Sequence, residues 1–485
     1  MGPIGIPEID WAVLGPYIWL TAGAIAATLV AVGPRGLRRL AGPVALVFLL
    51  PAALGLTRLW SLPPDSVETM GRMLVMDHFA ICFHAIFLIT AAVAILLSMP
   101  SSAEEGTDHG EYYGLILFAT SGMMLMASSR NLLMLFLGLE ILSVPLYILV
   151  GFTRWRERSL ESSAKYFLMG AFSTGFTVYG MALMYAATGT LYIPSMTAPP
   201  EKSAMLLAGF GLALIGFLFK IAAFPFHYWL PDVYQGAPTP VTAFMIATTK
   251  AAAFAAILRI VTAGVFWNGS FTDQWVKLLV VLSVLTMTAG NAVALVQNNI
   301  KRMLAYSSIA HAGYVLIAVV SRSEAGITSV VFYLAVYLFM NLGAFGVVLA
   351  IDRARGGGGE GDLIASFAGL GRRHPVLAAA MTVFMLSLTG IPLTGGFVGK
   401  FYIFKAAVDS GLIGVALVGL LNSVLAAAYY LNIVLTMYMK EPVSEPPPVH
   451  TPLPVGLGIA ISIAGVLYLG LFPDRILEFT RNLLL

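Results

Sequence analysis

Seven ionisable side chains stand in otherwise apolar stretches of this sequence: Glu140, Lys165, Lys220, His227, Lys250, His311 and Lys400. Glu140 lies within Phe136-Leu137-Gly138-Leu139-Glu140-Ile141-Leu142, with no basic residue close to it in the chain. Lys250 lies within Ala247-Thr248-Thr249-Lys250-Ala251-Ala252, with apolar turns on both sides. An ionised group in the middle of a membrane helix costs at least ~2.5–3.5 kcal/mol, and such groups face a bundle interior or a hydrated route. Amines, carboxylates and imidazoles are the groups that take up and release protons. Burial disfavours a charged amine and a nearby carboxylate favours it, so a change in the influence of Glu140 would load or unload Lys220. On this reading Glu140 and Lys220 form a switch and Lys250 and His227 are relays, with His311, Lys400 and Lys165 as further members of a proton route. The competing reading is that these groups form structural ion pairs, or that a neutral His227 or His311 hydrogen-bonds in a core. Lys165, near a helix end, would then snorkel to the interface. Asp77, His78 and His84, near the start of the third apolar run, read as interfacial.

The elements that hold these groups follow from composition. Of 485 residues, 59% are hydrophobic and 11% charged, whereas a soluble domain carries about 25% charged residues. Hydrocarbon is therefore the expected solvent. Apolar runs between polar or Gly/Pro punctuation predict an all-α polytopic membrane protein of about 14 spans. They lie near 11–33, 41–60, 79–99, 112–129, 131–152, 162–188, 204–231, 240–265, 274–297, 301–321, 325–351, 374–408, 411–439 and 452–472. The first run has no basic segment before it and reads as a retained helix, not a cleaved signal.

Two of the runs are interrupted. One passes through Phe219-Lys220-Ile221-Ala222-Ala223-Phe224-Pro225-Phe226-His227, the other through Leu388-Thr389-Gly390-Ile391-Pro392-Leu393-Thr394-Gly395-Gly396. Proline removes a backbone donor and clashes with the preceding turn. In a membrane, such a break survives only inside protein or beside water. The two prolines are separated by an odd number of spans, five, which inverts the second copy relative to the first, and paired broken helices in inverted repeats mark transporters.

Basic residues predict orientation. With the N-terminus outside, the cytoplasmic loops hold Arg35, Arg38, Arg39, Arg154, Arg156, Arg158, Lys301, Arg302, Arg353, Arg355, Arg372, Arg373 and Lys440. The opposite loops hold Arg72, Arg130, Lys202, Arg322, Arg475 and Arg481. The positive-inside rule then places both termini on the outer, periplasmic side. The acidic residues Glu104 and Glu105 do not alter this count.

Several function classes are disfavoured. A net charge of +3 gives no support to a nucleic-acid partner. The single cysteine, Cys82, cannot supply an iron–sulfur cluster or an intrachain disulfide, and seven scattered histidines provide no zinc cage. Gly356, Gly358 and Gly361 match G-x-G-x-x-G but follow a membrane helix, with no strand before them, so they are a connector. Gly399-Lys400 resembles part of a phosphate-binding loop, but Thr394 and Phe401 stand where glycine and a hydroxyl residue are required.

The stretch Gly138-Leu139-Glu140-Ile141-Leu142-Ser143-Val144-Pro145-Leu146-Tyr147 resembles the fifth helix of the antiporter-like membrane subunits of respiratory complex I, the proton-pumping NADH:quinone oxidoreductase. The region from Phe219 to Lys250 resembles the subunit N type most, with its Pro-Phe-His core and Pro231-Asp232-Val233-Tyr234-Gln235-Gly236-Ala237-Pro238. So does Lys301-Arg302-Met303-Leu304-Ala305-Tyr306-Ser307-Ser308-Ile309-Ala310-His311. The resemblance covers the chain from about the fourth span to the thirteenth.

It implies 14 helices with two inverted five-helix repeats around a hydrophilic axis. The partition is then 1–111 for three N-terminal helices, 112–273 and 274–440 for the repeats, and 441–485 for the last helix. Glu140 and Lys220 would be the coupling pair, Lys250 the connecting lysine, Lys400 the exit-side lysine and Lys165 a modulating lysine. One sister subunit carries glutamate at the position of Lys400, and the longest sister extends into a lateral helix after its last span, so neither matches as well. No cofactor is expected in this chain; NADH, FMN, iron–sulfur clusters and quinone would belong to partner subunits. The partners would be the other membrane subunits of complex I, including antiporter-like sisters, and the lipid bilayer of the cell inner (plasma) membrane. Two alternatives stand beside this: a subunit of a secondary sodium/proton antiporter, and a structural membrane subunit that conducts nothing.

Overall fold

The computed structural model describes residues 9–61, 67–104, 109–267, 269, 272–357, 359–442, 447–474 and 478. Glu105, Gly358, Arg475 and Arg481, used above, lie outside them. The chain runs α1 (Trp11–Val32), α2 (Arg35–Arg38) and α3 (Ala41–Trp60), then a short antiparallel hairpin of β1 (Val67–Thr69) and β2 (Leu74–Met76). It continues through α4 (His78–Glu104), α5 (Gly110–Ser128), α6 (Leu132–Val150), α7 (Glu157–Thr188), α8 (Ser203–Ile221), α9 (Trp229–Gly236) and α10 (Thr239–Val261). After a single turn, α11 (Gly264–Trp267), come α12 (Thr272–Ala294), α13 (Ile300–Val320), α14 (Glu324–Ala354) and the short α15 (Leu370–Arg373). The last four are α16 (Pro375–Thr389), α17 (Gly395–Asp409), α18 (Ile413–Met439) and α19 (Leu453–Leu471).

Among the described residues, twelve helices are each long and apolar enough to cross a membrane. Adding α5, and counting α16 with α17 as one interrupted span, brings the total to fourteen. Lipid offers no hydrogen bonds, so helices that satisfy their own backbone are the natural answer to this composition. Their starts are capped where polar residues allow it. Asn131 Oδ1 accepts from Leu133 N at 2.9 Å to open α6, and Asn299 Oδ1 from Arg302 N at 3.0 Å to open α13.

The fold has two inverted repeats. The first comprises α5, α6, α7, the α8–α9 pair and α10; the second comprises α12, α13, α14, the α16–α17 pair and α18. Corresponding contacts use the same device. In the first repeat α5 and α6 cross where Gly122 meets Gly138, and a Cβ on Gly122 would lie 2.3 Å from Leu142 N. In the second, α12 and α13 cross at Gly290 and Gly313, where a Cβ on Gly290 would lie 2.6 Å from Ala310 N. Helices without a hydrophobic force between them associate by such close backbone approach.

The core runs along α10, α13 and α14. Every residue of α10 is buried except Arg259. The opposite extreme is α18, where Leu417, Leu420, Leu421 and Val424 are exposed and form a face suited to hydrocarbon.

Asp77 and His84, near the start of α4, are enclosed by protein and not open at the surface. Asp77 is buried and holds the Arg259 guanidinium through two 2.6 Å contacts. His84 is fully buried, with Nε2 beside Ser128 Oγ at 2.8 Å and Met124 O at 3.0 Å. The reason is that the three N-terminal helices pack against the repeats, so α4 is an interior element. His78 is half-buried and stacks on Trp60. The β-hairpin was also unforeseen; Arg130 and the Tyr192 hydroxyl both donate to its Glu68.

Candidate functional site

The two breaks define the site. α8 ends at Ala222, which has a left-handed backbone, φ 56°, uncommon for a residue with a Cβ. The carbonyls that the missing turn would have bonded are taken up one by one. Leu218 O accepts from Ala223 N, and Phe219 O accepts from Ala222 N and from the Trp229 indole at 3.1 Å. Ile221 O accepts from Lys250 Nζ at 2.8 Å. α16 ends in the same manner at Gly390, φ 92°. Its Leu388 O and Thr389 O each accept from Lys400 Nζ at 2.9 Å, and Ser423 Oγ completes the set at 2.9 Å. A helix C-terminus carries partial negative charge, so each break is a seat for a cation. Each repeat thus places a buried lysine, Lys250 or Lys400, on the end of its interrupted helix.

Lys220 is buried in the last turn of α8. Its Nζ donates to the Tyr166 hydroxyl at 3.3 Å and lies 5.3 Å from the Tyr147 ring and 5.0 Å from the Tyr166 ring. The charged group acting on it is Glu140. Glu140 is half-buried on α6 and accepts from Thr174 Oγ1 at 3.0 Å. It sits on the side of α6 where Leu133, Leu137, Ile141, Val144 and Ile148 are exposed.

His311 is buried on α13 among tyrosines of the neighbouring helices. Its Nδ1 meets the Tyr333 hydroxyl and its Nε2 the Tyr430 hydroxyl at 3.0 Å; Tyr430 in turn meets Ser307 Oγ. Lys400 Nζ lies 5.1 Å from the Tyr314 ring, and the Tyr314 hydroxyl accepts from Asn291 Nδ2 at 3.0 Å. His227 is buried in the turn between α8 and α9, beside the Pro225 backbone, and among the described residues its Nδ1 has no well-directed hydrogen-bond partner. The hydroxyls of Tyr234 and Tyr337 are likewise buried; Thr249 lies beside the first and Ser308 and Asn341 beside the second, but among the described residues none is in good hydrogen-bond geometry. Unpaired buried polar atoms of this kind point to internal water.

The sequence reading missed Tyr166, Tyr314, Tyr333, Tyr430, Asn291 and Ser423. The only signal was a polar atom in an apolar helix, and many Ser and Thr residues of the bundle share that signal while merely bonding the preceding turn, as Thr90 and Thr120 do.

Lys165 is placed elsewhere. Its side chain is 42% exposed, and its ammonium pairs with Glu161 at 2.6 Å and Asp232 at 3.0 Å. Lys301, read as a loop residue, is instead buried in the first turn of α13 and pairs with Asp362 at 3.5 Å. Desolvation pushes the Asp362 carboxyl above the usual carboxylate range, with Lys301 opposing the shift. A cavity of about 410 Å³ lies beside this pair, lined also by Arg156, Arg158, Asp352 and Thr239. Thr239 begins α10, the helix that carries Lys250. The glycine connector folds back onto Asp352, whose Oδ1 accepts from Gly359 N and Gly361 N.

Comparison with known proteins identifies the family. The family described as NADH:quinone oxidoreductase/Mrp antiporter, TM, matches residues 129–426. The NADH-quinone oxidoreductase subunit N of Trichlorobacter lovleyi is 48% identical over 422 residues, spanning 86% of this chain and 85% of that protein. NADH-quinone oxidoreductase subunit N 2 of Roseiflexus castenholzii is 41% identical and spans 100% of this chain and 98% of its own. Among solved structures, a chain of respiratory complex I from Thermus thermophilus superposes with a TM-score of 0.81 at 34% identity, covering 96% of this chain and 98% of that one.

Proposed function

Since the chain belongs to the NADH:quinone oxidoreductase/Mrp antiporter family and is an antiporter-like membrane subunit of the subunit N kind, we propose that it moves protons along a line of buried groups from Glu140 and Lys220 through Lys250 and His311 to Lys400. In this reading it works within an NADH:quinone oxidoreductase, beside other membrane subunits that include antiporter-like sisters. Electrons pass through NADH, FMN, iron–sulfur clusters and quinone in partner subunits, and no redox centre resides here. The units of action are the repeats 112–273 and 274–440, flanked by 1–111 and 441–485. The membrane is the cell inner membrane, with both termini outside, as the distribution of arginine and lysine suggests.

The observation that carries the proposal is the seating of Lys250 and Lys400 on the carbonyls of two interrupted helices. A cation held by neutral dipoles can lose its proton without leaving an anion stranded in the membrane interior, which a lysine paired with a carboxylate cannot do. Lys220 differs in having Glu140 as its charged neighbour. With the carboxylate close, the ammonium form is favoured; as its influence is withdrawn, a proton is released toward Lys250. His311 and its tyrosines then stand between Lys250 and Lys400, and His227 lies beside the first break. The cavity at Lys301 and Asp362 serves as the side from which protons are taken up.

The test is made on the assembled complex in sealed vesicles. Lys220→Ala and Glu140→Gln should each lower the protons moved per electron or the coupled rate, while the complex still assembles. If both variants pump as the parent does, the chain is a scaffold and the proposal fails. The family also includes antiporter subunits, and proton exchange driven by sodium without a redox substrate would mark that alternative.

A further inference from the structure

Asp232 sits where the two repeats meet. It lies on the eight-residue α9. Its Oδ1 accepts from Arg302 Nη1 at 2.7 Å and its Oδ2 from Lys165 Nζ at 3.0 Å. Its backbone carbonyl accepts from Ser162 Oγ at 3.0 Å. Arg302 also donates to Gln235 Oε1 at 3.0 Å, and Lys301 donates to Ala237 O at 3.2 Å, just past the end of α9. The half-helix is therefore gripped from α7 in the first repeat and from α13 in the second.

We propose that Asp232 is a positioning residue shared by the two repeats, and that Lys165 influences the proton route through it, by holding α9 in place. This rests on the proton-moving reading above. The charge of Lys165 is poorly suited to act on Lys220 directly. Two carboxylates neutralise it, and its exposure leaves it screened by water. The mechanical route is short. α9 begins with Trp229, whose ring stacks on Tyr166 with centroids 4.7 Å apart and whose indole N–H bonds Phe219 O. Tyr166 is the residue after Lys165, and its hydroxyl is the hydrogen-bond partner of Lys220. Freeing α9 at Asp232 would disturb the stacked pair, the capped carbonyl and the environment of Lys220 together.

A double-mutant cycle tests this in the assembled complex, with coupled rate and protons per electron expressed per assembled complex. Lys165→Met and Asp232→Asn should each lower the coupled rate about two- to fivefold, the range set by a partly exposed ion pair. The double variant should be no worse than the poorer single one, and Asp232→Glu should recover most of the rate. Losses that multiply in the double variant would overturn the proposal, as would an Asp232→Asn rate equal to the parent's. Lys220→Ala in the same preparation separates the two readings. If Lys220→Ala pumps normally, the proton route itself is wrong; if it fails to pump and the cycle is additive, only the role of Asp232 is wrong.

Discussion

At the scale of the residue, what distinguishes Lys250 and Lys400 is the neutrality of their partners. A buried ion pair broken on one side costs about 3–5 kcal/mol, which makes a tightly paired group a poor carrier. Asp77 and Arg259 are of that structural sort, with two 2.6 Å contacts and a third to Ala127 O. The Lys400 ammonium donates to two carbonyls and a hydroxyl, all neutral. On the proposed route Tyr430 would act with the carriers, because one hydroxyl meets both His311 and Ser307. Tyr430→Phe removes that hydroxyl and keeps the ring. The coupled rate should fall about fivefold, the equivalent of one hydrogen bond of about 1 kcal/mol, with assembly unchanged. A rate equal to the parent's in vesicles would remove Tyr430 from the route.

At the scale of the element, the fold depends on a few backbone approaches that no side chain can enter. Gly122→Leu would drive a Cβ to 2.3 Å from Leu142 N, and Gly138 opposite leaves no flexible side chain to yield. The cost should exceed the ~1–3 kcal/mol typical of overpacking, and little complex should assemble. Gly175→Ala, on α7 with nothing within 4 Å, is the control and should assemble normally. Solubilised yield and thermal unfolding read both. The spans themselves were legible in the sequence because lipid demands long apolar helices, and Pro225 and Pro392 marked both breaks. The extent of the first break was not legible: Trp229 to Gly236 forms a separate helix, whereas the hydropathy suggested one run to residue 231. Hydropathy counts apolar residues and is blind to a turn made by Ala222 with positive φ. Lys220, Lys250 and Lys400 announced themselves by the cost of their charge, but the tyrosines did not, since a phenol is at home in an apolar helix until its hydroxyl must find a partner. The partner of Asp77 was not legible because nothing local shows that Arg259, far along the chain, would reach it.

At the scale of the whole molecule, two inverted halves each offer one cationic seat, and the proposed route joins them through His311 and its tyrosines. The chain gains function from this arrangement only if water reaches it, since each ammonium donates chiefly to the backbone carbonyls of its own break, which do not pass a proton on. The Tyr234 hydroxyl, Tyr337 hydroxyl and His227 Nδ1, which lack a well-directed partner among the described residues, mark where that water would belong. The decisive measurement is a density map of the assembled complex in lipid, at a resolution that shows ordered water. Ordered waters should touch these three atoms and join Lys250 and Lys400 into a chain reaching the cavity at Lys301 and Asp362. Dry, closed surroundings at all three atoms, with each lysine sealed from both faces, would contradict the account.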